Sequence, residues 1–178
     1  GLPHDWVEIL IVQHVKLLSQ GQAVKMSKRA GQFVTLQQLI DELAEKVGRK
    51  FAVDVARFFF QMRSTTAHLD FDMDLAVQQA EANPVFYIQY AHARICSIFQ
   101  QAEGRGMGAA SKLLENADVS LIHEPEEREL IKMLVQYPGV IEAAARLLEP
   151  NIVANYLQTV AASFHRFYHV HQVVSADE

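Results

Sequence analysis

"NPVFYIQYAHARICSIFQ", residues Asn83 to Gln100, opens on a signal that sets the architecture of everything after it. An asparagine followed by proline is a helix cap followed by a residue whose fixed φ suits the first helical position. Beyond that start, Val85, Ile88, His92, Ile95 and Phe99 recur at helical spacing and read as the core face of a long helix ending near Gln101. Tyr87, Tyr90 and Arg94 fall at i, i+3 and i+7 and form a second stripe. Two readings of that stripe stand side by side. The tyrosines can pack sideways in a bundle with Arg94 paired to a carboxylate, or their faces can stack on unpaired bases while the guanidinium grips phosphate. Cys96 lies on the same apolar helix without activating cations and reads as an inert core residue, not a nucleophile.

Downstream, "EGRGMG" is a loop, and further helical segments are marked by Pro125, by Pro138-Gly139 and by Pro150. The last carries "FHRFYHVHQ", in which Phe164 and Tyr168 face the bundle or an RNA base. His165 and His169 stand at i, i+4, but no carboxylate or cysteine completes a ligand set, so no metal is expected and the histidines read as surface or interface residues. Upstream of Asn83, "STTAHLDFDMD" reads as a polar connection. Its aspartates Asp70, Asp72 and Asp74 lack the glycine and distal glutamate of a calcium loop and read as caps and solvated groups.

The N-terminal part is of another kind. "WVEILIVQHVKLL" is rich in β-branched residues and, with the turn near Gly21, predicts a β-hairpin. Thr35 with Gln38 forms a capping box for a helix striped by Leu36, Leu39, Ile40 and Leu43 and ended by Gly48. A second helix over Phe51 to Met62 is apolar on most of its circumference. The fold class is therefore mainly α: a short hairpin, two helices, then an all-helical bundle from Asn83.

Half of the 178 residues are hydrophobic, enough for a core, and no apolar run is long enough to span a bilayer. No secretory signal is visible at the start, and a single cysteine suits a reducing cytoplasm. Charge is uneven. Gly1 to Arg63 holds nine Lys+Arg against six Asp+Glu, a balance of +3, while Ser64 to Glu178 holds seven against fifteen, or −8. A polyanion meeting the second half needs a local basic patch.

Between the hairpin and the first helix lies "VKMSKRAGQF", with Lys25, Lys28 and Arg29 just before Gly31. Charge alone reads as a solvated turn. The alternative is a mobile clamp. Two ammonium groups on one hinged loop can straddle a triphosphate and stabilise charge building on departing pyrophosphate, with Ser27 adding a neutral donor.

The order Lys25-Met26-Ser27-Lys28 resembles the KMSKS-type signature of class I aminoacyl-tRNA synthetases. With "DVARFFFQMRS", "HLDFDMDLA" and "NPVFYIQYAHARICSI" following in order, the chain resembles the arginyl-tRNA synthetase family from at least Val7 to Gln101, and less closely to about Val174. The resemblance implies a KMSK loop and stem-contact helices in residues 1–82, the end of a catalytic domain. Residues 83–178 are then a helical, DALR-type anticodon-binding domain, C-terminally incomplete by one helical stretch. It further implies ATP binding by Lys25, Met26, Ser27 and Lys28, the lysines being catalytic, with ATP arriving with Mg2+. For tRNA(Arg), the implied contacts are Tyr87, Tyr90, Arg94, Phe164 and Tyr168. Neither DNA nor a membrane is an expected partner, and the parent is expected to be a cytoplasmic monomer that also binds arginine.

Two departures stand out: "AEKVGRKFAV" lengthens one link, and no His-x-Gly-His signature occurs. The chain is thus expected to be a fragment that cannot activate arginine alone. The rivals are a stand-alone tRNA-binding helical module, a fragment of a related synthetase such as the cysteinyl enzyme, and a protein-interaction bundle without an RNA role.

Overall fold

The computed structural model of the chain describes residues 6–7, 9–24, 33–107 and 117–174. Strands β1 (Val15–Ser19) and β2 (Gln22–Ala23) form the expected hairpin. Its two turn residues, Gln20 and Gly21, both have positive φ, 51° and 71°. That is the primed geometry whose twist matches a hairpin. The Gln20 N–H is donated to the Asp74 carboxylate.

The strand is shorter than the apolar composition suggests. Residues 9–14 form no regular element, and Ile9 and Ile11 are 81% and 77% exposed. Pairing decides this, because β1 meets a neighbouring strand only from Val15 onward. That neighbour corrects the reading of "HLDFDMD" as mere connection. Leu69–Asp72 is a third strand, β3, lying parallel to β1 with Val15 opposite Leu69 and Leu17 opposite Phe71. Leu69 and Phe71 point into the core while Asp70 is exposed, a two-residue alternation that the aspartates disguise as a loop. The sheet order is β2-β1-β3.

The parallel pairing needs a crossover, supplied by α1 (Leu36–Val47) and α2 (Arg49–Gln61). Thr35 and Gln38 close the capping box as expected, at 3.1 and 2.8 Å, and Gly48 ends α1 at φ 82°. Leu39 and Leu43 of α1 meet Ala52, Val55 and Phe59 of α2 over Leu17 and Phe71, which is the first core. Phe60 stays 38% exposed, so the apolar girdle of α2 is not wholly used.

Asp72 caps α3 (Met73–Ala76), accepting from the N–H groups of Asp74 and Leu75. Asn83 then starts α4 (Pro84–Gly104) with no exposed surface at all. Its Oδ1 accepts from Val85 N–H at 3.0 Å, while its Nδ2 donates to the carbonyls of Ala76 and Gln78 at 3.0 and 2.9 Å.

Beyond it come a 3-10 turn (Val119–Leu121), α5 (Pro125–Val135), α6 (Tyr137–Leu147) and α7 (Asn151–Val170), the segments the prolines mark. The second core forms where α4 and α7 meet, around Ala91, Ala161 and Phe164, with Ile88, Ile95, Ile98 and Leu130 against it. Of the expected face, Val85, Ile88 and Ile95 do pack inward, but the seam with α7 runs along the alanines beside it. His92 is exposed and Phe99 is 47% exposed, whereas Ala91 and Ala102 are buried. Alanines let the two backbones close in, and a stripe read from bulky residues overlooks them. Cys96, expected in the core, is exposed for the same reason. Among the described residues no helix is long and apolar enough to cross a membrane. The architecture is mainly α, as expected, with the third strand added.

Replacing Asn83 by alanine removes the cap and orphans the buried Ala76 carbonyl and the half-buried one of Gln78, and should cost about 2–4 kcal/mol of stability. Asn83→Asp retains the cap acceptor but sets a carboxylate oxygen against those carbonyls. Urea melts should find it at least as damaging as Asn83→Ala.

Candidate nucleic-acid interface

Helices α4 and α7 run in the same direction, so Tyr87 meets His165 and, further along, Arg94 meets Tyr168. The result is a ladder of rings along one flank of their junction. The Arg94 guanidinium carbon lies 4.4 Å from the Tyr90 ring centre and 4.6 Å from that of Tyr168. Arg94 also donates to the Tyr90 hydroxyl at 2.5 Å. A weakly hydrated planar cation over aromatic faces gains about 0.5–1 kcal/mol per ring at an exposed site. Of the two earlier readings of Arg94, its contacts here are with aromatic faces.

Each ring has its own support. Tyr90 lies nearly flat beside Phe86, at 5.9 Å and 8°, and beside His165 at 5.6 Å. His165 also contacts Tyr87 at 4.4 Å, and its Nε2 is 3.1 Å from the Tyr87 carbonyl oxygen. Since a carbonyl only accepts, that nitrogen carries the proton. Tyr168 lies against Phe164 at 5.8 Å. Tyr90 keeps 43% of its surface in solvent, so the ladder presents a partly exposed aromatic ring with the Arg94 cation over it. Such a surface can stack an unpaired base and bind the phosphate next to it.

The expected residues thus divide. Tyr87, Tyr90, Arg94 and Tyr168 come together. Phe164 is only 6% exposed and belongs to the second core, so of its two expected roles it takes packing, not base contact. Lys25, Met26, Ser27 and Lys28 lie outside the described residues. Phe86 and the ring-contact role of His165 were not anticipated. Phe86 carries a signal in hindsight, its i, i+4 spacing to Tyr90, whereas the place of His165 depends on how α7 docks.

Nearby charges are locally compensated. Arg166 binds Glu129 through both carboxylate oxygens, at 3.0 and 2.8 Å, and His171 lies 3.3 Å from Glu126. The Glu126 carboxyl is held below its ordinary range by its backbone N–H first and by His171 next. Among the described residues, the metal donors that converge are Glu124, Glu126 and His171, not the His165/His169 pair.

A helical bundle carrying an open aromatic and cationic ladder has the makings of an RNA-binding module, and the sequence comparisons agree in kind. Residues 88–178 match the DALR anticodon binding domain, and the chain belongs to that family. Over its full 178 residues it is 45% identical to an arginine–tRNA ligase of Caldanaerobacter subterraneus, and over 174 residues 48% identical to one of Geobacter metallireducens. It spans about 30% of the length of those curated relatives. A solved Campylobacter jejuni structure, assigned as an arginyl-tRNA synthetase, overlays 94% of this chain with a TM-score of 0.71 at 29% identity. The overlay takes in 34% of that structure. Thermus thermophilus arginyl-tRNA synthetase shares the fold over 88% of the chain and 26% of its own, with a TM-score of 0.67 at 23% identity.

The Tyr87 hydroxyl is held above its ordinary value of 10.0, chiefly by partial burial and then by Glu81, against a lowering by Arg166. The folded state thus favours the neutral phenol. That contribution to stability is complete below the unfolded value and is lost as pH rises through the folded one. Above about pH 9 stability should fall less steeply in Tyr87→Phe than in the native chain. The variant should also lack one tyrosinate absorbance step that titrates above the ordinary value.

Proposed function

We propose that this chain is the C-terminal portion of an arginine–tRNA ligase, an enzyme that joins arginine to ATP as an adenylate and passes it to the end of tRNA(Arg). In this reading residues 1–82 close the catalytic domain and residues 83–178 hold the anticodon arm. The observation that carries it is the Tyr90–Arg94–Tyr168 ladder, an open stacking surface on the part of the chain that matches an anticodon-binding family. A further support is the exposed apolar run over residues 9–12, which is larger than isolated surface side chains and suits a chain covered by more polypeptide.

The chemistry follows from charge. Breaking the α–β bond of ATP, delivered with Mg2+, puts growing negative charge on the departing pyrophosphate. Lys25 and Lys28 meet that charge more strongly in the transition state than in the ground state, which accelerates the step. Met26 and Ser27 shape the loop between them. On the RNA side, a loop base stacks against the exposed part of Tyr90, and Arg94, held between the Tyr90 and Tyr168 rings, takes the adjoining phosphate. Tyr87, half-buried beside His165, sets the position of the ladder. The work is proposed for a monomer in the cytoplasm.

In the full-length protein with tRNA(Arg) present, Lys25→Ala should slow ATP–pyrophosphate exchange on the order of 100-fold; an unchanged rate defeats the loop assignment. Arg94→Ala should weaken binding of a tRNA(Arg) transcript about tenfold and flatten its salt dependence. Equal binding by the variant, with folding verified by circular dichroism, removes the RNA role of the ladder.

A further inference from the structure

The turn between α6 and α7 aims one carboxylate back at the sheet side. Leu148 stands in the left-handed region, at φ 55° and ψ 35°, a conformation that suits glycine and strains a leucine. Such strain persists only where the surroundings over-determine it. Pro150, with φ −63°, stiffens the other side of the turn. Between them, Glu149 donates its own N–H to the Ala144 carbonyl at 3.0 Å. Both of its carboxylate oxygens are engaged by one residue 84 positions away. Oε2 accepts from the Thr65 N–H at 3.2 Å, and Oε1 from the Thr65 hydroxyl at 2.9 Å. Thr65 lies between α2 and β3, and its carbonyl accepts from the Gln13 N–H at 3.0 Å, just ahead of β1. One carboxylate thus fastens the bundle to the approaches of both β1 and β3.

Asn83 fixes where α4 leaves α3, yet a single point leaves the bundle free to turn about it. Packing does not fill the space alongside. An open cleft of about 570 Å³ lies between Phe59, Met62 and Leu75 on the sheet side and Tyr87, Thr159 and Ala162 on the bundle. Gln89 and Asp54 also reach across, but their hydrogen bond is exposed and competes with water. Glu149 and Thr65 are both half-buried and supply the second fixed point. The lever is long. α7 begins two residues after Glu149 and has 20 residues, about 30 Å, so a tilt of about 10° at its start moves its far end about 5 Å. We infer that Glu149 is a positioning residue: its hold on Thr65 sets the tilt of the bundle, and so the span between the ladder and the part of the enzyme where charging takes place. Its role in charging rests on the tRNA reading above and deepens it, since a tRNA held at both ends tolerates little error in that span.

The test uses the full-length protein. With native cysteines replaced, spin labels go on Glu45→Cys in α1 and Glu142→Cys in α6, both exposed positions. Their separation, read by pulsed electron resonance, should be narrowly distributed with Glu149 in place and broad in Glu149→Ala. An unchanged distribution overturns the inference, whatever the RNA results. In charging of whole tRNA(Arg), Glu149→Ala should lose roughly tenfold in kcat/KM, the worth of one charged hydrogen bond. Its Kd for an isolated anticodon stem–loop should stay native. Thr65→Val, which deletes the hydroxyl but keeps the N–H, should fall between, and Thr65→Ser should charge like the native protein. Glu149→Ala combined with Thr65→Val should be no worse than Glu149→Ala alone. Native charging by Glu149→Ala, or an equal loss for stem–loop and whole tRNA, overturns the positioning role and leaves the tRNA reading standing. If the native protein binds neither RNA, the tRNA reading fails, and the distance measurement still decides whether Glu149 holds the bundle.

Discussion

The carboxamide of Asn83 is sealed from water and makes three hydrogen bonds, one to the helix it starts and two back to the segment it leaves. A buried amide is neutral to mildly stabilising when satisfied and costly when not, so this one side chain ties the entry of α4 to the end of α3. Other polar links between the sheet side and the bundle are more exposed or loop-borne. Gln89 reaches Asp54 at 2.9 Å, and Glu149 takes both the N–H and the hydroxyl of Thr65, at 3.2 and 2.9 Å. The direction in which α4 leaves the sheet is set at Asn83, and each ring on that helix inherits its position from there.

What α4 meets is governed by alanines. Ala91 and Ala161 allow α4 and α7 to approach closely, and the larger side chains on either side must then meet across the seam. On one flank they are Tyr87, Tyr90 and Arg94 against His165 and Tyr168. Because the helices run in the same direction, successive turns of one face successive turns of the other, and single contacts extend into a ladder. The intervening α5 and α6 provide the return path, and α5 also supplies Glu126 and Glu129, which engage His171 and Arg166. Those pairs compensate the nearest charges, within a second half whose balance is −8. In the proposed RNA role, stacking and short contacts then count for more than long-range attraction.

Local signals reported local structure well. The Thr35–Gln38 box, the Gly48 stop, the Asn83-Pro84 start and the proline-marked helices all lie where a few neighbouring residues dictate the backbone. The aromatic and cationic members of the candidate interface were also legible, since tyrosines and an arginine at i, i+3 and i+7 must share a helix side.

Composition, charge balance, helix limits and the stripe of aromatic and cationic residues on α4 were thus decided by the sequence itself, because each depends on the sequence alone or on neighbours a few positions apart. Tertiary structure alone decided three other things. It made a strand of Leu69–Asp72, whose partner β1 is some fifty residues away. It buried Ala91 in place of His92 and Phe99, because the approach of α7 and not side-chain bulk selects the inner face. It brought Tyr168 to Arg94 across more than seventy residues, a meeting that follows from helix direction and register, which no local pattern encodes.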